Sequence, residues 1–120
     1  MTSANKRRGD RWELAVQDHA QANGFPWCEK TRAGYERDEG DLHLVPGPSV
    51  IVQAKNHAAM RLPEWLRQLD EQLANSDAAH GFLAVKVRGV GDPGQCLAVM
   101  RIDAALALLR EAGYGTEVTP

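Results

Sequence analysis

Cysteine is scarce in this sequence. Cys28 and Cys96 stand far apart and form no CxxC pair. That excludes a disulfide scaffold and a zinc ribbon, and it leads to the expectation of a reducing, cytoplasmic setting. Long apolar runs are missing too: none approaches the ~20 residues a helix needs to cross a bilayer. The first residues, MTSANKRRGDR, are basic with no apolar stretch behind them, unlike a secretory leader. Charge of one sign is not in excess either. Fourteen basic and 16 acidic residues give a formal net charge of -2, which excludes an overall basic nucleic-acid coat protein. There is no internal repeat, low-complexity tract or long linker. What remains is 120 residues, 43% hydrophobic and 25% charged, the composition of one globular domain over 1–120. Short flexible ends are expected at 1–5 and 114–120.

The charges do segregate locally. Lys6, Arg7, Arg8 and Arg11 cluster early, and Asp38, Glu39 and Asp41 cluster near the middle. Apolar periodicity predicts a helix over 6–23, with Trp12, Val16 and Ala20 at four-residue steps and Gly24 as its stop. An extended piece over 26–31 and a polar loop over 32–40 follow. Asp41–Val45 and Val50–Lys55, separated by Pro46-Gly47-Pro48-Ser49, read as a hairpin. A second helix is expected over 62–79, with Pro63 in its first turn. Strands are expected over 82–87 and 96–102, and a last helix over 104–112 capped by Asp103. The order is αβββαββα: an α/β domain with a mixed central sheet flanked by helices.

Chemistry concentrates at the hairpin. Residues two apart on a strand share a face, so Gln53 and Lys55 project together, and neither is a comfortable core residue without a partner. Pairing Val45 with Val50 across the turn sets Asp41 near Ala54, within reach of both. At 100° per residue, Glu13 lies about 60° from Val16 and flanks the apolar stripe of the first helix. Glu13, Asp41, Gln53 and Lys55 are therefore expected to converge. Two carboxylates and an amide oxygen are hard ligands that suit Mg²⁺ or Mn²⁺, and a lysine beside them offsets charge on phosphate. These are the parts for hydrolysing a phosphodiester.

The run GD…VIVQAKN, with the element order around it, resembles the PD-(D/E)xK nuclease superfamily and its restriction-endonuclease-like αβββαβ core. Within that superfamily the pattern is most similar to small Holliday junction resolvases of phage and archaeal type. Those carry a glutamate on an early helix, here in RRGDRWELAV, and a basic loop, here KTRAGYERDEGD, before the hairpin and its lysine. The resemblance covers residues 6–112. It implies that Asp41 bridges metal, that Glu13 assists the metal site or its water, that Gln53 fills the second acidic position, and that Lys55 is the catalytic lysine. It also implies Mg²⁺-dependent cutting of branched double-stranded DNA by a homodimer, leaving 5′-phosphate and 3′-hydroxyl ends. Gln53 departs from the glutamate of many members; its oxygen can still reach a metal, but one negative charge is gone. A restriction- or repair-type nuclease of the same superfamily, or a DNA-binding module whose site has decayed, are the alternatives.

Each residue also has a plainer reading. Asp41 can simply open a strand, Lys55 can guard an edge, and Glu13 can be a solvated helix residue. Arg7, Arg8 and Arg11 either grip phosphates or belong to a loose tail. Arg32 and Arg37 are candidates for DNA contact from the loop, Thr31 for a phosphate-binding hydroxyl, and His57 for touching phosphate or tuning the site. His19, His43 and His80 lack zinc-ligand spacing. Gly89–Gly94 spells GxGxxG, but a strand follows where dinucleotide binding needs a helix N-terminus. The apolar helix bearing Leu62, Trp65, Leu66 and Leu69 is expected to serve the core and also a dimer face.

Overall fold

A computed structural model of the chain describes residues 3–31, 41–47 and 49–118. Helix α1 (Ser3–Ala22) leads to β1 (Glu29–Lys30), β2 (Leu42–His43) and β3 (Val50–Lys55). Helix α2 (Leu62–Ser76), β4 (His80–Val85), a 3₁₀ turn (Pro93–Gln95), β5 (Leu97–Val99) and α3 (Ile102–Glu111) complete the chain. The strands form one mixed sheet in the order β1-β2-β3-β4-β5. Only β3 and β4 run parallel, joined through α2, and the other neighbours are antiparallel. No helix among the described residues is long and apolar enough to cross a membrane.

Alternation along β3 divides the core. Val50, Val52 and Ala54 pack with Trp12, Cys28, Leu42 and Ala84 beneath α1. Ile51 faces the other way, packing with Leu83, Val85 and the α2 residues Trp65 and Leu69. By the same two-residue period Gln53 and Lys55 belong to the α2 face. A buried hydrogen bond ties α1 to the sheet, Trp12 Nε1 donating to the Ala84 carbonyl at 2.9 Å. On the opposite face α2 lies close on β4. An added Cβ at Gly81 would stand 2.9 Å from Leu73 Cδ2 and 3.0 Å from the Ile51 carbonyl oxygen, so the glycine is required by close approach.

Several expectations are corrected. α1 begins at Ser3, three residues before the expected start, and carries Arg7, Arg8 and Arg11. β5 is only three residues long, Leu97–Val99, because α3 already begins at Ile102 where the strand was expected to end. Asp103 lies inside the first turn of α3; Arg101 holds the cap position and makes no side-chain cap. The hairpin register is shifted by one, with Leu42 opposite Val52 and the Leu44 N–H bonded to the Val50 carbonyl. Asp41 itself is a bend just before β2 and takes no place in the ladder.

Candidate functional site

The site lies where the β2–β3 ladder ends beside the N-terminal half of α1. Beyond the Leu42–Val52 pair the Ala54 N–H donates to Asp41 Oδ2 at 2.8 Å, so the aspartate side chain closes the strand end. The Asp41 carbonyl accepts from the Thr31 N–H at 2.9 Å, which ties β1 to the same corner. Asp41 is thereby held from both sides.

Glu13 reaches this corner from α1. Its carboxyl group is pushed above the usual glutamate range, first by burial and then by the neighbouring Asp41 charge, against the opposing pull of Lys30. Lys30 Nζ stands 3.8 Å from Glu13 Oε1. Two carboxylates near enough to repel, with one lysine alongside, form the α1 side of the site.

Gln53 and Lys55 form the α2 side. Gln53 is buried, at 5% exposure. Its Nε2 donates to Gln68 Oε1 at 3.2 Å, and Lys55 Nζ donates to the same oxygen at 3.1 Å. The Lys55 ammonium also lies 5.7 Å from the centre of the Trp65 ring, a favourable position for a cation over an indole. With its nitrogen turned to Gln68, Gln53 leaves Oε1 buried and without a hydrogen-bond partner among the described residues. A buried polar atom in that condition is costly unless water or a ligand meets it.

The structure thus pairs Glu13 with Asp41, and Gln53 with Lys55 through Gln68, and Asp41 joins the two sides through the backbone of β3. Lys30 and Gln68 escaped the sequence reading. Gln68 lies 60° around α2 from Trp65, flanking the buried Trp65–Leu69–Gln72–Ser76 stripe, and that spacing is the signal that marks it. His57 stacks at a tilt on Trp65, with ring centres 5.4 Å apart. Its pKa is lowered by burial, then by the Lys55 and Arg61 charges, so the ring favours the neutral form. An open cleft of about 480 Å³ runs from Glu13 and Ala54 past Asn56 and His57 to Lys6 and Arg8. A second hollow, of about 270 Å³, has Arg8, Arg11 and Lys86 on its walls. Arg7 is exposed on α1. Thr31 turns its N–H to Asp41, and its Oγ1 is buried without a partner among the described residues. Arg32, Arg37, Asp38 and Glu39 lie outside the described residues.

The carboxylates of Glu13 and Asp41 and the orphaned amide oxygen of Gln53 are hard ligands of the kind a small divalent cation takes, and an ion at the Glu13–Asp41 pair would relieve the repulsion felt by Glu13. Among the described residues no three His, Cys, Asp or Glu side chains gather as a metal-binding group. No protein-family model matches the chain, and no curated protein or solved structure matches it.

Proposed function

We propose that the chain is a divalent-metal-dependent endodeoxyribonuclease acting on branched double-stranded DNA, a Holliday junction resolvase of PD-(D/E)xK type. The observation that carries this reading is the Glu13–Asp41 carboxylate pair at the end of β3, the strand that also presents the buried, unpartnered oxygen of Gln53 and the Lys55 ammonium. The sheet order, with an antiparallel β1-β2-β3 meander and β4 parallel to β3 through a helix, is similar to that superfamily's core and supports the assignment.

In this reading Asp41, Glu13 and Gln53 hold Mg²⁺ or Mn²⁺. The ion, when bound, supplies Lewis acidity and neutralises phosphate charge. The chain's own groups do the rest. Asp41 is fixed by the Ala54 N–H and keeps its place as substrate enters. Glu13, with its raised pKa, is suited to take a proton from the attacking water. Lys55, steadied by Gln68 and Trp65, offers positive charge to the phosphate under attack. Lys6, Arg8 and Arg11, along the clefts that open from the site, are placed to follow a phosphate backbone. Hydrolysis then leaves 5′-phosphate and 3′-hydroxyl ends, in a reducing cytoplasmic setting that suits two free cysteines.

The glutamine at position 53 supports a second reading, a DNA-binding module whose site has decayed, because the amide removes one negative charge from the ligand set. Synthetic four-way junctions, flaps and linear duplexes incubated with Mg²⁺ separate the possibilities. The resolvase reading predicts preferential cutting of the four-way junction. Preference for duplex at a fixed sequence points to a restriction- or repair-type nuclease. Salt-sensitive DNA binding with no cutting in Mg²⁺ or Mn²⁺ points to the decayed module.

A further inference from the structure

The hollow of about 270 Å³ beside the cleft gathers cations and no acid. Arg8, Arg11, Trp12 and Ala15 of α1 form one wall, and Asn56, just beyond β3, and Lys86, just beyond β4, form the other. Arg8 and Arg11 are three residues apart, about 60° around the helix axis, so they share a face. Lys86 Nζ donates to the Val87 carbonyl at 3.0 Å and to the Val90 carbonyl, and it lies 5.9 Å from the centre of the Trp12 ring. Neutral groups thus hold that ammonium in place. None of the three cations makes an ion pair among the described residues. The neighbouring cleft differs, since it carries Asp10 and Glu13 beside Lys6 and Arg8. A hollow lined by cations alone repels a metal ion and attracts an anion.

Its shape calls for more than an anion. Trp12 and Ala15 supply an apolar floor, and the Asn56 amide can both donate and accept. An apolar floor, an amide and guanidinium planes are the surfaces that receive a nucleobase taken out of its stack. The hollow also adjoins the site: Arg8 and Asn56 belong to both the hollow and the cleft, and Asn56 directly follows Lys55. We propose that the hollow is a subsite for one unstacked nucleotide, its phosphate on Arg11 and Lys86 and its base against Trp12, Ala15 and Asn56, next along the strand to the phosphate in the cleft. That last placement rests on the nuclease reading, because the cleft must hold the reacting phosphate. Occupancy of the hollow needs neither metal nor cutting, so the two are tested apart.

Titration of the full chain in EDTA, followed by NMR at the Trp12 indole N–H and the Gly91 amide on the rim of the hollow, tests it. The probes are thymidine 5′-monophosphate, inorganic phosphate and a short single-stranded oligothymidylate, with circular dichroism to confirm that each variant folds. Thymidine monophosphate should bind with Kd below about 1 mM, and inorganic phosphate at least about tenfold more weakly because it leaves the floor and the amide unused. Arg11→Gln and Lys86→Gln should each weaken the nucleotide about fivefold; glutamine at 86 keeps a donor for the two carbonyls. Asn56→Leu should weaken the nucleotide by a similar factor and leave phosphate unchanged. Arg110→Gln, which removes the same charge from α3, should change neither. The oligothymidylate should bind more tightly than the mononucleotide, as a strand that continues into the cleft must. Absence of shifts at Trp12 and Gly91, phosphate binding as tightly as the nucleotide, or Lys86→Gln and Arg110→Gln behaving alike overturns the subsite. A mononucleotide that binds more tightly than the strand overturns its placement beside the reacting phosphate. Nucleotide binding in a chain that never cuts DNA sinks the nuclease reading and that placement, and leaves the subsite standing.

Discussion

Gln68→Leu is the substitution that most sharply tests how the site is held together. One carboxamide oxygen accepts from both Gln53 Nε2, at 3.2 Å, and Lys55 Nζ, at 3.1 Å. Leucine fills similar volume and removes that one acceptor, and with it both bonds, at once. The buried Gln53 N–H is then unpaired, at a cost of about 1–3 kcal/mol, and the lost bond to the ammonium adds about 1 kcal/mol more. A loss of about 2–4 kcal/mol follows, or roughly 8–16 °C in Tm at about 4 °C per kcal/mol for a domain of this size. Denaturant unfolding reads it directly. Gln68→Glu keeps an acceptor and should cost less than about 1 kcal/mol. In the Gln53→Leu background, where the donor is already gone, Gln68→Leu should cost at least about 1 kcal/mol less than in wild type, because removing both partners of a buried bond spares the desolvation penalty. Unchanged stability of Gln68→Leu, or strict additivity of the two leucine substitutions, would refute the reasoning.

Two further predictions concern the remaining supports. Glu13 titrates above its ordinary 4.5 because of burial and Asp41; between that value and the raised one the folded protein holds more protons than the unfolded, so its contribution to stability falls as pH rises through the window. Glu13→Gln should therefore flatten the decline in unfolding free energy from pH 4 to pH 8, and a decline as steep as wild type's would contradict the assignment. Gly81→Ala should cost about 1–3 kcal/mol, since its Cβ would press on Leu73, Leu69 and the Ile51 carbonyl, whereas Gly91→Ala, with nothing within 4 Å, should leave the unfolding midpoint nearly unchanged.

Much of this organisation was legible in the chain. The β-branched run Val50–Lys55 matches β3 residue for residue, and the Leu62–Trp65–Leu69 spacing marks the start and buried face of α2. The αβββαββα order follows from punctuation by glycine and proline. What periodicity could not supply was the partner of each face. It did not tell that Trp65 and Leu69 are used up inside the core while Ile102 and Leu106 stay outside, because an apolar stripe looks alike in both cases. Nor could a turn containing two prolines fix the hairpin register to the residue, which pairs Leu42 with Val52. Within the site, Glu13, Asp41, Gln53 and Lys55 were singled out from residue type and spacing. Gln68 was passed over because a helical glutamine ordinarily reads as solvated surface, and only the packing of α2 turns it toward β3.

The most direct test of the central claim is cleavage of a synthetic four-way junction in Mg²⁺ by wild type, Asp41→Asn and Lys55→Ala, with junction binding measured alongside. Wild type should cut, and each variant should lose at least about a hundredfold in rate while keeping its fold and its affinity for the junction. Cutting by both variants at the wild-type rate would place the chemistry elsewhere on the chain, and a wild type that binds the junction but never cuts it would contradict the claim of catalysis itself.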